Sequence, residues 1–150
     1  MNSLTKLYVC AMLPLFAGAV AAEPASREVV STKEAPAAGA VLSQAIKGGG
    51  FVFASGQIAR DPVTGKMIEG DIKAQTERVL KNLSAVLAAA GTSLDRTVKV
   101  TVYLKSISDF QAMNEVYAKY FPASPPARST VQAALASDAA LIEIDVIALQ

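Results

Sequence analysis

The chain has 150 residues, 52% of them hydrophobic and 18% charged, with 14 basic side chains against 13 acidic ones. That is the size and balance of one globular domain with a sizeable core. Basic residues are scattered singly, without the clustered charge or aromatic interleaving of a nucleic-acid surface. There is no His, no Trp and one Cys, Cys10.

The N-terminal segment reads as a leader. Lys6 precedes an apolar run from Leu7 to Ala19, and Ala19-Val20-Ala21-Ala22 supplies small residues before Glu23. This is the layout of a secretory signal peptide, too short for a comfortable membrane span. The expectation is cleavage after residue 22 and a periplasmic or secreted domain over 23–150; an uncleaved N-terminal anchor is the alternative. Cys10 falls inside the leader and lacks the context of a lipoprotein site. The remaining 128 residues carry 13 basic and 13 acidic side chains and neither Cys, His nor Trp. Cys–His and Ser–His–Asp catalysis, His- or thiolate-ligated zinc and disulfide bracing are therefore excluded from the domain.

A short strand is expected at Arg27 to Ser31, after which Val41 to Ile46 and Phe51 to Gln57 read as strands joined across Lys47-Gly48-Gly49-Gly50. Asp61-Pro62-Val63-Thr64-Gly65 is a turn in which Pro presets φ and Gly takes the left-handed position. Asp71 then caps a helix whose apolar positions, Ile72, Thr76, Val79, Leu80, Leu83, Leu87 and Ala90, recur at helical spacing until Gly91. Val98, Val100, Val102 and Leu104 alternate with Lys99, Thr101 and Tyr103, a strand with one buried face. Ser108 and Gln111 have the spacing of a capping box for a second helix, striped by Phe110, Met113, Tyr117, Tyr120 and Phe121 and ended by Pro122. Pro125-Pro126 is a stiff connector, and strands at Arg128 to Leu135 and Leu141 to Leu149 close the domain.

This order implies an α+β fold, a mixed sheet with two helices packed on one face. The last strand has apolar residues on both faces: Leu141, Ile147 and Leu149 oppose Ile142, Ile144, Val146 and Ala148. Two helices cannot cover both faces, so self-association is expected.

Arg128, held by the Pro-Pro connector, is suited to two-pronged capture of a carboxylate, or is a solvated edge residue that discourages strand pairing. Glu143 and Asp145 share a strand face with Leu141 and Ile147. A carboxylate in an apolar cleft can have a raised pKa and move protons, whereas the plainer reading pairs both acids with neighbouring cations. In Ser55-Gly56-Gln57 the glycine permits close approach of another group. Asn114 lies beside the second helix's apolar stripe as a cap-side, interface or site residue. Gly48 to Gly50 is no phosphate cradle, because no helix or Lys-Ser/Thr pair follows it.

Taken together these blocks resemble the Rid (YjgF-type) family. The resemblance is carried by Ala35-Pro36-Ala37-Ala38, Ser55-Gly56-Gln57-Ile58, Asp61-Pro62 to Thr64-Gly65 and the run Gln75 to Gly91. Further along it is carried by Val98 to Leu104 and Asp109-Phe110 to Tyr117, and most specifically by Pro125 to Val131 and Ile142 to Ala148. It implies a chorismate-mutase-like homotrimer with sites between subunits, hydrolysing 2-enamine or 2-imino acids to 2-oxo acids and ammonia without metal or organic cofactor. Arg128 would bind the substrate carboxylate and Glu143 would position or activate water, with Ser55 and Asn114 near the pocket. Where the family carries Gly-Pro-Tyr, this sequence has Ala40-Val41-Leu42, so Leu42 replaces a pocket tyrosine. A non-catalytic binder of small carboxylates and an interaction or chaperone-like trimer, or a ribonuclease, are the competing readings, the balanced charge counting against RNA binding; no nucleic acid and no stable membrane anchor are expected as partners.

Overall fold

The computed structural model describes residues 26–150; the expected leader, with Cys10, lies outside the described residues. Six strands form one sheet: β1 (Glu28–Val30), β2 (Ala45–Gly48), β3 (Phe51–Ile58), β4 (Thr97–Leu104), β5 (Ala127–Gln132) and β6 (Ile142–Leu149). Two helices, α1 (Ile72–Ala89) and α2 (Phe110–Tyr120), interrupt them. The strand order is β1-β2-β3-β6-β4-β5. All neighbours are antiparallel except β4 and β5, which run parallel. The exception follows from chain path: α2 is the crossover that returns the chain to the starting end of the sheet before β5.

Alternation along each strand decides which face the helices cover. Val52 and Ala54 of β3, Val100, Val102 and Leu104 of β4, and Ile142, Ile144, Val146 and Ala148 of β6 are buried. They pack with Val79, Leu80, Leu83, Val86 and Leu87 from α1 and Met113, Val116 and Tyr117 from α2 in one core. The intervening residues form the opposite, uncovered face, where Phe51, Phe53, Val131 and Leu149 are exposed. Phe51 and Phe53 lie with ring centroids 6.3 Å apart. The expected two-helix, one-face architecture is thus present, including its bare apolar side.

The local signals hold where a side chain or glycine enforces them. Asp71 Oδ1 accepts from the Ala74 amide at 3.0 Å and starts α1, and Gly91 follows it at φ 81°. Gly49 and Gly50 turn the β2–β3 hairpin at φ 59° and 80°. Asp61 Oδ1 accepts from the Val63 and Thr64 amides, closing the Asp61–Gly65 turn.

Four boundaries differ from expectation. The second strand starts at Ala45, not Val41, because the Gln44 side chain holds the preceding segment as a loop. Its amide accepts from the Thr32 N–H at 2.6 Å and donates to the carbonyls of Thr32 and Pro36 at 3.0 and 2.8 Å. Val98 does not belong to the buried run: a register shift between Thr97 and Lys99 turns Thr97 inward and Val98 outward. The Ser108–Gln111 capping box does not form. Ile107–Asp109 is a 3-10 turn instead, with Ser106 Oγ 2.7 Å from Ser108 Oγ and the Ile107 amide donating to Gln132 Oε1. Lastly, β5 ends at Gln132 rather than Leu135, since its one neighbour among the described residues, β4, ends opposite it at Leu104.

Candidate functional site

Glu143 is a half-buried carboxylate on the bare side of the sheet. It stands on β6 opposite Tyr103 of β4 and Ile58 of β3. It lines a cleft of about 450 Å³ with Leu42, Gln44, Gly56, Gln57, Arg60 and Ala136, together with the Pro36–Gly39 segment. Burial pushes the Glu143 carboxyl above its ordinary range, and the neighbouring Asp145 charge adds to the rise. Cation pairing is absent here: the ion pairs among the described residues are Lys47–Glu28, Lys73–Glu115 and Lys81–Glu77, and none involves Glu143 or Asp145. Asp145 instead faces Tyr103, whose phenol its charge pushes up.

The cleft wall is made by a β-bulge. Between Ala54 and Gln57 the pairing of β3 with β6 slips by one residue, so Ser55 and Gly56 stand against Asp145 alone. A Cβ at Gly56 would overlap the Glu143 carboxylate, within 2.9 Å of its Cδ. What glycine supplies there is room for Glu143 where it stands, not a special backbone conformation, because Gly56 is not among the glycines at positive φ. Ser55 borders the cleft rather than lining it. Its hydroxyl donates to the Ser43 carbonyl at 2.7 Å and its amide to Gln44 O at 3.0 Å, fixing the Leu42–Gln44 loop against the sheet.

Buried amides brace the rest of the rim. Gln44 ties down Ala35 and Pro36; Asn82 of α1 donates to Arg60 O at 2.9 Å; Gln75 of α1 accepts from the Leu141 amide and donates to Ala139 O. These three residues position the beginning of the cleft loop, the end of β3 and the entry to β6. Sequence reasoning missed all three, as well as Arg60 and Ala136. A lone amide in an otherwise apolar stretch was the only available signal.

Arg128 lies elsewhere. In the parallel pairing it is level with Val100, whose side chain is in the helix-facing core, so Arg128 also turns toward the helices. There it meets α2. Its guanidinium carbon is 4.5 Å from the centre of the Tyr117 ring and 5.6 Å from that of Phe110. With Asn114, Tyr117, Ala118, Phe121, Pro125 and Pro126 it lines a hollow of about 530 Å³. Although β5 is at the sheet's edge, the Arg128 side chain is half-buried under α2.

Two groupings therefore emerge. Leu42 and Glu143 share one cleft with Ser55 at its margin, while Arg128 and Asn114 share the other hollow. Within one chain the groupings are separate: β5 is two strands from β6, about 10 Å at the usual strand spacing, and Arg128 and Glu143 point to opposite faces. Among the described residues no group of three or more Asp, Glu, His or Cys side chains could hold a metal ion.

A family profile described as Endoribonuclease L-PSP matches residues 32–150. The crystal structure of a protein of the conserved Rid family from Yersinia pestis superposes with a TM-score of 0.80 at 45% identity, covering 83% of this chain and 100% of that one. The chain belongs to the Rid (YjgF-type) family. Among its Rid-family relatives, the chloroplastic Reactive Intermediate Deaminase A of Arabidopsis thaliana is 48% identical over 136 residues, covering 90% of this chain and 73% of the relative. The 2-iminobutanoate/2-iminopropanoate deaminase of Rattus norvegicus is 41% identical over 124 residues, covering 83% and 90% respectively. The expected α+β Rid fold is thereby established, and both the Glu143 cleft and the Arg128 hollow fall within the matched span.

Proposed function

We propose that this Rid-family protein hydrolyses 2-imino acids, and the enamines that tautomerise to them, to 2-oxo acids and ammonia. The observation that carries the reading is Glu143: a carboxylate without a cation partner, raised in pKa, in a small cleft of a chain whose relatives include named imine deaminases.

The chemistry needs two things from the protein. A guanidinium must hold the substrate carboxylate by two parallel hydrogen bonds, the role assigned to Arg128. A carboxylate must take a proton from water as its oxygen attacks C2 of the imine, the role assigned to Glu143. The adduct carries a hydroxyl and an amino group on C2. The proton first taken from water goes to the imine nitrogen to make that amino group, and the carboxyl then relays the hydroxyl proton to nitrogen as the C–N bond breaks, so R–C(=NH)–COO⁻ and water become R–CO–COO⁻ and ammonia. A carboxyl whose pKa lies above the ordinary range is the stronger base toward water and can carry the proton between oxygen and nitrogen nearer neutrality. Leu42 presents an apolar wall beside Glu143, which favours imines with apolar side chains.

Because Arg128 and Glu143 face opposite sides of one sheet, the reading also requires a second copy. A head-to-tail interface that closes on itself would bring the Arg128–Asn114 hollow of one chain to the Glu143–Leu42 cleft of the next. A homotrimer burying Phe53, Val131 and Leu149 satisfies this and covers the bare sheet face. Export through the N-terminal leader belongs to the same proposal, and N-terminal sequencing of protein from its native host should begin at Glu23 or one residue before it.

The test is a panel of imines generated in place by an amino-acid oxidase and followed by release of 2-oxo acid. Wild-type protein should accelerate release. Arg128→Lys retains the charge but loses the planar fork, and should lower kcat/KM by about tenfold or more with folding intact. No acceleration with any imine, from protein that scatters as a trimer, would refute the proposal.

A further inference from the structure

Arg128 is gripped by rings, not by acids. Tyr117 and Phe110 stand seven residues apart on α2, two helical turns, so both project from the same face toward β5. The guanidinium carbon sits 4.5 Å from the first ring and 5.6 Å from the second. Tyr117 cannot swing away: it is 5% exposed, and Phe121 backs its ring at a centroid distance of 4.6 Å. None of the ion pairs among the described residues includes Arg128. The Tyr117 hydroxyl is buried and makes no hydrogen bond of ordinary geometry, although it lies near enough to Arg128 for the guanidinium to oppose the rise that burial gives its pKa.

The kind of grip matters chemically. An aspartate or glutamate would hold the guanidinium by occupying two of its N–H groups and would neutralise it. An aromatic face attracts the cation through its quadrupole and takes none of those donors. The fork is thereby oriented while its full charge and the N–H groups needed for a two-pronged contact stay available to an incoming anion. A stacked guanidinium has also already lost much of the rotational freedom that carboxylate binding would otherwise remove.

We propose that Tyr117, assisted by Phe110, is the positioning residue of the anion site: its ring holds the Arg128 guanidinium plane for two-pronged capture of a 2-oxo or 2-imino carboxylate. This rests on Arg128 being the carboxylate anchor, and it adds a role for a tyrosine that packing alone would count as core. The ring is the working part, and the hydroxyl is dispensable.

The experiment measures binding of 2-oxobutanoate and of its neutral amide by calorimetry to four purified proteins: wild type, Tyr117→Phe, Tyr117→Leu and Arg128→Gln. Tyr117→Phe keeps the ring and should keep the preference for the carboxylate within about twofold. Tyr117→Leu should weaken carboxylate binding about tenfold, the scale of a lost partly desolvated cation–π contact, and leave amide binding nearly unchanged. In turnover the same variant should raise KM more than it lowers kcat. A merely structural tyrosine would lower the melting temperature and leave the ratio of carboxylate to amide affinity where it was. If Tyr117→Leu fails to fold, Phe110→Leu, at the more exposed ring, should show the same selective loss at about threefold. Full carboxylate preference in a folded ring-deleted variant, with Arg128→Gln impaired, overturns the ring clamp alone. Undiminished preference in Arg128→Gln overturns the anchor itself, and the clamp with it.

Discussion

Substituting Gly56 with alanine separates the stability of this fold from its chemistry. The backbone at Gly56 is one any residue can adopt, so adding a methyl group brings no φ penalty. It should stabilise by about 0.4–1 kcal/mol through a less flexible unfolded chain. Against that, the new Cβ would lie 2.9 Å from Glu143 Cδ and 3.1 Å from its Cγ, overlapping the carboxylate. Overpacking of this kind costs about 1–3 kcal/mol where neighbours are trapped. Glu143 is not trapped, since it borders an open cleft and can rotate away, so the lower end of that range applies. The two terms nearly cancel, and thermal unfolding should move by no more than about 4 °C. Activity should not be spared. The rotation carries the carboxylate an ångström or more from its place, a displacement that lowers rates by about a hundredfold. Imine hydrolysis by Gly56→Ala, measured beside Glu143→Gln and the double variant, provides the check. The double variant should be little worse than Glu143→Gln, because both changes remove the same interaction. A Gly56→Ala enzyme within about threefold of wild-type kcat/KM would refute the claim that Glu143 must sit where the bulge puts it.

Glu143→Gln should raise the melting temperature near pH 7 while lowering turnover. Burial and Asp145 raise the Glu143 pKa in the folded state, so its contribution to stability is present below the ordinary value of 4.5 and is lost as pH rises through the higher folded value. Melting curves of wild type and variant should therefore converge near pH 4 and separate toward neutrality; the opposite order would contradict the direction of the shift. Leu42→Tyr should move the kcat/KM ratio from imines with Leu- or Met-like side chains toward the alanine-derived imine, by about ten- to a hundredfold, as read from the same oxidase-coupled panel. Phe53→Asp places a charge on the bare sheet face, and light scattering should show loss of the proposed trimer together with loss of the proposed imine hydrolysis.

Much of this protein is written locally. Asp71 and Gly91 delimit α1 because a capping carboxylate and a left-handed glycine act within a few residues of themselves, and the alternation of β6 states which side chains face the helices before any partner strand is known. The resemblance of the Arg128 and Glu143 blocks to one family is likewise a property of consecutive residues. What tertiary structure alone decided is everything that depends on register and on distant partners. The bulge at Ser55-Gly56 arises from pairing with β6, some ninety residues later, and it brings a glycine against Glu143. Gln44, Gln75 and Asn82 look like ordinary polar residues until their amides meet loop carbonyls and amides elsewhere in the fold. The capping-box spacing at Ser108 lost to a 3-10 turn anchored by Gln132 on another strand. Most consequential is the side to which Arg128 turns. Its parity is set by parallel register with Val100, not by its own neighbours. That register puts the guanidinium under Tyr117 and away from Glu143, because a strand's sequence specifies alternation but only its pairing specifies which face is which.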